Sequence, residues 1–301
     1  MQRTTRSAKS KVWRIPRLRN LELLRGTYLT HSFPRHTHEQ YAIGVIEQGA
    51  LGYFYRGENI VAVPGDINLC IPDEVHTGQP AAAEGWSYRM FYFDVTMLQQ
   101  VASEVAGRPR HRPFFQAGVI ADAVVARQLR QLHRQLETMD TPLLEQETVL
   151  LDVLAQLIHR YADDPPPLHR LGREPRAVTQ LKRYIEGHYA EDISLESLSH
   201  LTQLSRYYLI RVFRETVGIP PHAYLRQVRL KHAKDLLASG QPVADVAIAT
   251  GFTDQSHLTR WCKRLWGFTP GQYRNGIQDG SAATEYTADM HHAPYRESAS
   301  S

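Results

Sequence analysis

Side chains with chemistry to offer collect in two places. In the last third of the chain, Arg206, Tyr207, Ile210 and Arg211 recur at helical spacing, as do Gln255, Ser256, Thr259, Arg260 and Lys263 some fifty residues later. Arginine can bond both O6 and N7 of guanine, glutamine can do the same for adenine, and threonine or isoleucine can meet a thymine methyl. Nearer the start stand His36, His38 and His76, followed by Tyr88, Arg89 and Tyr92. His36 and His38 share a strand face because side chains alternate. Such imidazoles can ligate a metal or hydrogen-bond a small ligand. No nucleophile elbow, phosphate loop or HExxH motif accompanies them, so catalysis finds no support.

The elements that must carry the first set come from a duplication. Leu209–Tyr224 lies over Leu258–Tyr273 at an offset of 49, with Leu, Arg, Gly, Pro and Tyr coinciding, and Leu195, Leu198, Thr202 and Leu204 match Val243, Val246, Thr250 and Phe252 at 48. Each copy reads as a short helix, a tight turn and a second helix. Ser194 and Ser205 stand at cap positions in the first; Pro242, Gly251 and either Thr253 or Asp254 punctuate the second. Two short helices joined by such a turn make a helix-turn-helix, whose second helix enters the major groove. With Leu209, Val212 and Phe213 inward in one copy, and Leu258, Trp261, Cys262 and Leu265 inward in the other, the polar set above remains outside. Arg211 and Arg260 occupy the same helical position.

The elements for the second set are strands. From Thr27 to Phe93, short segments rich in aromatic and β-branched residues are cut by Gln48-Gly49, Arg56-Gly57-Glu58-Asn59, Val63-Pro64-Gly65-Asp66 and Pro72-Asp73, the pattern of an antiparallel sandwich or barrel. Residues 119–137 and 142–161 then carry leucines at spacings of three, four and seven and predict a helical hairpin. Its apolar stripes can close onto the barrel alone or pair with a second copy of the chain. The expected organisation is a basic arm over 1–25, an effector domain over 26–118, the hairpin over 119–161, a proline-rich linker over 162–175, a DNA-binding domain over 176–275 and a disordered tail over 276–301.

Charge follows these divisions. Lys and Arg outnumber Asp and Glu by eight to one in residues 1–25, fall short at 12 to 18 in residues 26–175, and exceed them at 14 to 8 in residues 176–275. A polyanion partner is therefore expected for the last of these. A composition 42% hydrophobic and 22% charged suits two globular domains. No apolar run approaches the roughly 20 residues of a membrane helix, and no signal-peptide core follows the start, so a cytoplasmic protein with no membrane partner is expected. Two cysteines 192 positions apart, Cys70 and Cys262, exclude a disulfide scaffold and a thiolate zinc site.

The segment Ile248-Ala249-Thr250-Gly251-Phe252-Thr253-Asp254-Gln255-Ser256-His257-Leu258, with Gly267-Phe268-Thr269-Pro270 and Tyr273-Arg274, resembles the signature of the AraC/XylS family of bacterial transcription regulators over roughly residues 178–275. Many members carry an aromatic residue where Cys262 stands. The resemblance implies that both recognition helices of one chain enter successive major-groove segments. Residues 25–95, with His36-Thr37-His38-Glu39 and Pro72-Asp73-Glu74-Val75-His76, look like a cupin barrel of the kind that forms the effector domain in many such regulators. Metal-binding cupins add a Glu about four residues beyond the HxH; here that place is Ala42, and no metal or other cofactor is expected.

The fold class predicted is α+β, with an N-terminal cupin-like antiparallel β-barrel and hairpin, then an all-α double helix-turn-helix. The function predicted is sequence-specific regulation of transcription, with Tyr88, Arg89 and Tyr92 holding an anionic or aromatic effector alongside the three histidines. Double-stranded DNA, a small-molecule effector, a second copy of the chain and RNA polymerase are the expected partners. The rival readings are a cupin metalloenzyme with an accessory helical domain, and a regulator whose barrel only dimerises.

Overall fold

Alternating strands and capped helices appear in the order expected, with additions at both ends of the barrel segment. The computed structural model describes residues 9–138 and 141–278. The strands are β1 (Lys9–Ile15), β2 (Leu21–Tyr28), β3 (Phe33–His36), β4 (Tyr41–Gly49), β5 (Leu51–Tyr55), β6 (Glu58–Ala62), β7 (Ile67–Cys70), β8 (His76–Pro80), β9 (Trp86–Phe93) and the short β10 (Val119–Ile120). They form two antiparallel sheets, ordered β1-β2-β9-β4-β7-β10 and β3-β8-β5-β6. The expected barrel is thus two open sheets, since no edge strand of one is hydrogen-bonded to the other among the described residues. Their facing sides enclose Ile46, Tyr53, Trp86, Tyr88 and Met90. At the Gln48-Gly49 turn only glycine fits: φ is +68°, and a Cβ on Gly49 would stand 1.9 Å from the Gly85 carbonyl oxygen.

The arm expected over 1–25 is structured from Lys9 onward. β1 pairs residue for residue with β2, from Lys9 opposite Thr27 to Ile15 opposite Leu21. Backbone pairing with an available edge overrides a composition that by itself suggests a solvated tail.

After β9, α1 (Val95–Ala106) ends at Gly107 in the left-handed conformation. The hairpin is α2 (Ala123–Thr138) and α3 (Leu143–Tyr161), with Asp122 Oδ1 accepting the amides of Val124 and Val125. Both leucine stripes are covered within the chain: α2 buries Val125, Leu129, Leu132 and Leu136, and α3 packs against α1 and α2 with Leu144, Leu151, Leu154 and Ile158 inside. The apolar faces expected to dimerise are therefore already used.

The duplicated region supplies α4 (Pro175–Gly187), α5 (Leu195–Thr202), α6 (Arg206–Val217), α7 (Pro221–Ala238), α8 (Val243–Ala249), α9 (Gln255–Trp266) and α10 (Pro270–Gln278). Contacts divide the chain within α7, after Arg226, rather than at the 162–175 linker. The reason is that α5 and α6, the first helix-turn-helix, pack on α3, and α6 also packs on α1. The second unit has its own core of Leu230, Leu237, Val246, Phe252, Leu258 and Cys262. The tail expected over 276–301 begins inside α10, and beyond Gln278 it lies outside the described residues. No helix among the described residues is long and apolar enough to cross a membrane.

Candidate effector cavity and nucleic-acid interface

Strand alternation decides which residues of the first set meet. Trp86, Tyr88, Met90 and Tyr92 project from β9 between the sheets, where they line a cavity of about 90 Å³ with His36, His38, His76 and Asn68. The histidine rings converge, with centroids 4.3 Å apart for His36 and His76 and 4.7 Å for His38 and His76. Each turns Nδ1 to a backbone carbonyl, of Pro34, Gln40 and Glu74 respectively. A carbonyl only accepts, so Nδ1 carries hydrogen. Burial holds His38 below the usual histidine range and His76 down to about 4. Both rings are neutral at neutral pH, leaving Nε2 as an acceptor. Among the described residues no group of three or more His, Cys, Asp or Glu is arranged to hold a metal ion.

Two further cavity residues were missed by sequence reasoning. Trp86 Nε1 and Asn68 Oδ1 are buried without a hydrogen-bond partner among the described residues. Buried polar atoms in folded proteins are nearly always paired, so an orphan donor and an orphan acceptor in one cavity mark a place for a ligand or water. Among the described residues no Asp, Glu, Lys or Arg lines this space.

Arg89, expected beside Tyr88 and Tyr92, projects from the opposite face of β9. It is a correction that alternation alone requires. There its guanidinium meets Glu137 at 2.6 Å and Glu47 at 3.0 Å, and its Nη1 lies 3.1 Å from His133 Nδ1. His133 Nε2 donates to the carbonyls of Leu24 and Met90; burial first and the Arg89 charge second lower its pKa to about 4 against the pull of those bonds, so this ring too is neutral. His222, buried near Arg226 and Arg214, is lowered to about 3.

These shifts have a consequence for stability. In the unfolded chain the same rings take protons near pH 6.5. Between that value and the folded values the unfolded state binds more protons, so stability is lost as pH falls. The urea midpoint should drop between about pH 7 and about pH 5, and less steeply in His133→Gln. A midpoint independent of pH over that interval would show that these rings are not kept neutral by the fold.

The second helix-turn-helix carries its polar set on α9. Gln255, Ser256, Arg260 and Lys263 are exposed and Thr259 is half-buried, while Leu258 and Cys262 are buried. Of the two candidate caps it is Asp254 that accepts the His257 amide, at 2.7 Å. His257 is itself buried, its ring bonded to Thr253 and to the Trp261 indole. Leu265, expected inside, is 50% exposed near the end of α9.

The first helix-turn-helix is differently placed. Ser194 caps α5 as expected, in a reciprocal box with Ser197. At α6, Ser205 holds the cap position without a side-chain bond. Glu104 of α1 takes that part: its Oε2 accepts the Tyr207 amide at 3.0 Å, and its Oε1 accepts Arg206 Nε at 3.0 Å and Nη2 at 2.7 Å. Glu147 of α3 accepts the Leu195 amide at the start of α5, at 2.6 Å. Arg211 donates to the His169 carbonyl at 2.7 Å, Arg214 pairs with Asp152, and Arg226 pairs with Glu145 at 2.9 Å. Burial pushes the Glu147 and Asp152 carboxyls upward. Ile210, expected at the surface, is completely buried. A helix packed against several neighbours buries more than one stripe, and α6 contacts α1, α3, α4 and α5.

The AraC-like ligand-binding domain profile matches residues 20–156, and a helix-turn-helix domain profile matches residues 198–276. YbfI of Bacillus subtilis (strain 168), an uncharacterized HTH-type transcriptional regulator, is 32% identical over 242 residues, which is 79% of this chain and 86% of that protein. The chain belongs to the AraC family of transcriptional regulators. The HTH-type transcriptional activator RhaS of Citrobacter koseri is 25% identical over 81% of this chain and 88% of its own. A crystal structure of a probable AraC family transcriptional regulator from Rhodopseudomonas palustris is 30% identical, covers 34% of this chain and 97% of that one, and has a TM-score of 0.33. The regulator thus has an N-terminal ligand-binding domain and a C-terminal helix-turn-helix DNA-binding domain, and is not an enzyme. Family membership sets aside the metalloenzyme reading.

Proposed function

We propose that this regulator is an effector-controlled switch whose resting form withholds the first helix-turn-helix from DNA, and that its effector is a small uncharged molecule bearing both donors and acceptors. The observation that carries the gate is Glu104, whose two oxygens hold both the Arg206 guanidinium and the Tyr207 amide. A helix N-terminus of this kind is where a DNA phosphate is bound. Glu104 at α6 and Glu147 at α5 put carboxylates in the two places where phosphates would sit.

On this reading Arg206, Tyr207 and Arg211 contact DNA once released, joined by Gln255, Ser256, Thr259, Arg260 and Lys263 from the second motif, and Ile210 serves packing. The regulator acts in the cytoplasm on double-stranded DNA, with RNA polymerase as a further partner and no metal or cofactor. A homodimer uses a surface other than the leucine stripes of α2 and α3.

The ligand class follows from the cavity. Trp86 Nε1 offers a donor; Asn68 Oδ1 and the imidazole nitrogens offer acceptors; nothing charged answers an anion. The space holds about three waters' worth of liquid volume, so an effector of more than a few heavy atoms must move side chains. A thermal-shift screen of uncharged and anionic metabolites tests this. Uncharged hydroxyl- or amide-bearing compounds should raise the melting temperature, and Trp86→Phe, which keeps the ring but deletes the N–H, should weaken them by about tenfold. Hits confined to anions, or indifferent to Trp86→Phe and His76→Gln together, would refute the assignment.

A further inference from the structure

On the outer face of the six-stranded sheet, away from the effector cavity, lies a wide groove of about 1150 Å³ beside α2. Pairing registers Lys11 opposite Arg25, and Arg25 opposite Arg89, so three cations stand in one row across three neighbouring strands. Like charges directly opposite one another destabilise a sheet. The next row, Lys9, Thr27 and Ser87, is registered in the same way and offers one more cation and two hydroxyls. From α2, Arg130 and Arg134 complete the lining.

Among the described residues two carboxylates answer these charges, and each is shared three ways. Glu137 meets Arg89 at 2.6 Å, Arg25 at 3.0 Å and Lys11 at 3.5 Å; Glu47 meets Arg134 at 2.9 Å, Arg89 at 3.0 Å and Arg130 at 3.9 Å. Among the described residues, six cations against two carboxylates leave a positive excess. The hydrogen bonding is also incomplete: the Nε groups of Arg89 and Arg130 are buried and make no aligned hydrogen bond, although Arg89 Nε is close to Glu47. At the floor of the groove the Arg89 side chain is only 7% exposed. Its burial is costly unless neighbouring anions balance it.

We propose that this groove binds a small molecule carrying two or more phosphate groups, at a site separate from the effector cavity. Guanidinium forks match phosphate oxygens. From Lys11 to Arg89 the row spans two strand spacings, about 10 Å, which suits a chain of phosphates rather than a single one. The hydroxyl row beside it can receive the uncharged part. A small ligand reaches the recessed Arg89, whereas a duplex carries its phosphates on its own outer surface and would meet only the rim.

The test is calorimetric titration of the full chain with inorganic tripolyphosphate and, separately, with ATP. Both should bind with one-to-one stoichiometry and weaken as salt rises. The triple variant Lys11→Gln/Arg25→Gln/Arg134→Gln, which changes only cations near half exposed or more, should weaken tripolyphosphate by about tenfold or more. Its affinity for operator DNA should be unchanged. Should the triple variant fail to fold, Ser87→Glu serves instead, placing a carboxylate beside the row of three cations, with the same losses expected. Absence of tripolyphosphate binding to the unmodified protein, or binding undiminished in the variants, overturns the proposal. So does loss of DNA affinity in the variants, which would assign the groove to the DNA backbone.

Discussion

Replacing Glu104 and Glu147 together by glutamine should raise the affinity of the full-length, effector-free regulator for its operator by about tenfold or more. Each carboxylate makes charge-assisted bonds to a helix N-terminus of the first helix-turn-helix, and Glu104 adds the forked contact to Arg206. Hydrogen bonds to charged groups contribute roughly 1.5–3 kcal/mol each, and glutamine keeps an acceptor but loses the charge. A net weakening of about 1.4 kcal/mol multiplies the released fraction tenfold, and apparent affinity rises with that fraction until release is complete. Removing negative charge from any DNA-binding protein helps somewhat, so the control is Glu215→Gln, which deletes an exposed carboxylate from α6 itself. It should have a severalfold smaller effect. Gel-shift titrations at fixed salt decide the matter. If the double variant binds operator as the unmodified protein does while losing thermal stability, Glu104 and Glu147 hold the fold together and gate nothing.

The same contacts explain which parts of this molecule could be read from its sequence. Caps and periodicity are local, and they located both helix-turn-helix units: Ser194 caps α5, Asp254 caps α9, and Leu209, Val212 and Phe213 are buried. The strands were legible from their turns, and α2 and α3 from their leucine spacing. What failed was long-range. Nothing near Ser205 in sequence announces that a carboxylate about a hundred positions earlier supplies its capping bond. Ile210 was misplaced for the same cause, because one-helix reasoning assigns a single buried stripe while α6 packs against α1, α3, α4 and α5. Arg89 is a different case. Period-two alternation already separates it from Tyr88 and Tyr92, and its burial among Glu47, Glu137 and His133 is the outer-face counterpart of that rule. The orphaned Trp86 and Asn68 atoms left no signal, since an unpaired buried group is a property of packing.

Arg211→Ala and Arg260→Ala should each cost about 1–3 kcal/mol on the operator and relax preference at different base positions. The duplication places these arginines at equivalent points of α6 and α9, one turn and a half in from each helix start, where recognition helices meet base edges. Their starting states differ. Arg211 is engaged with the His169 carbonyl and lies 5.6 Å from the Tyr207 ring centroid, so its removal takes away one contact of the closed form together with one contact to DNA. Arg260 sits on an exposed face of α9. Affinity alone therefore underestimates the loss at Arg211, because part of it is returned by easier release. Base preference carries no such offset, since the released helix either reads a base with that guanidinium or does not. Selection from randomised operator DNA is accordingly the measurement to make with each variant, with Lys263→Ala as a phosphate-contact control that should weaken all sequences alike. If both arginine variants select the unmodified motif, or both relax the same base pair, the two helices do not read separate segments, and the duplication has to be explained by something other than DNA recognition.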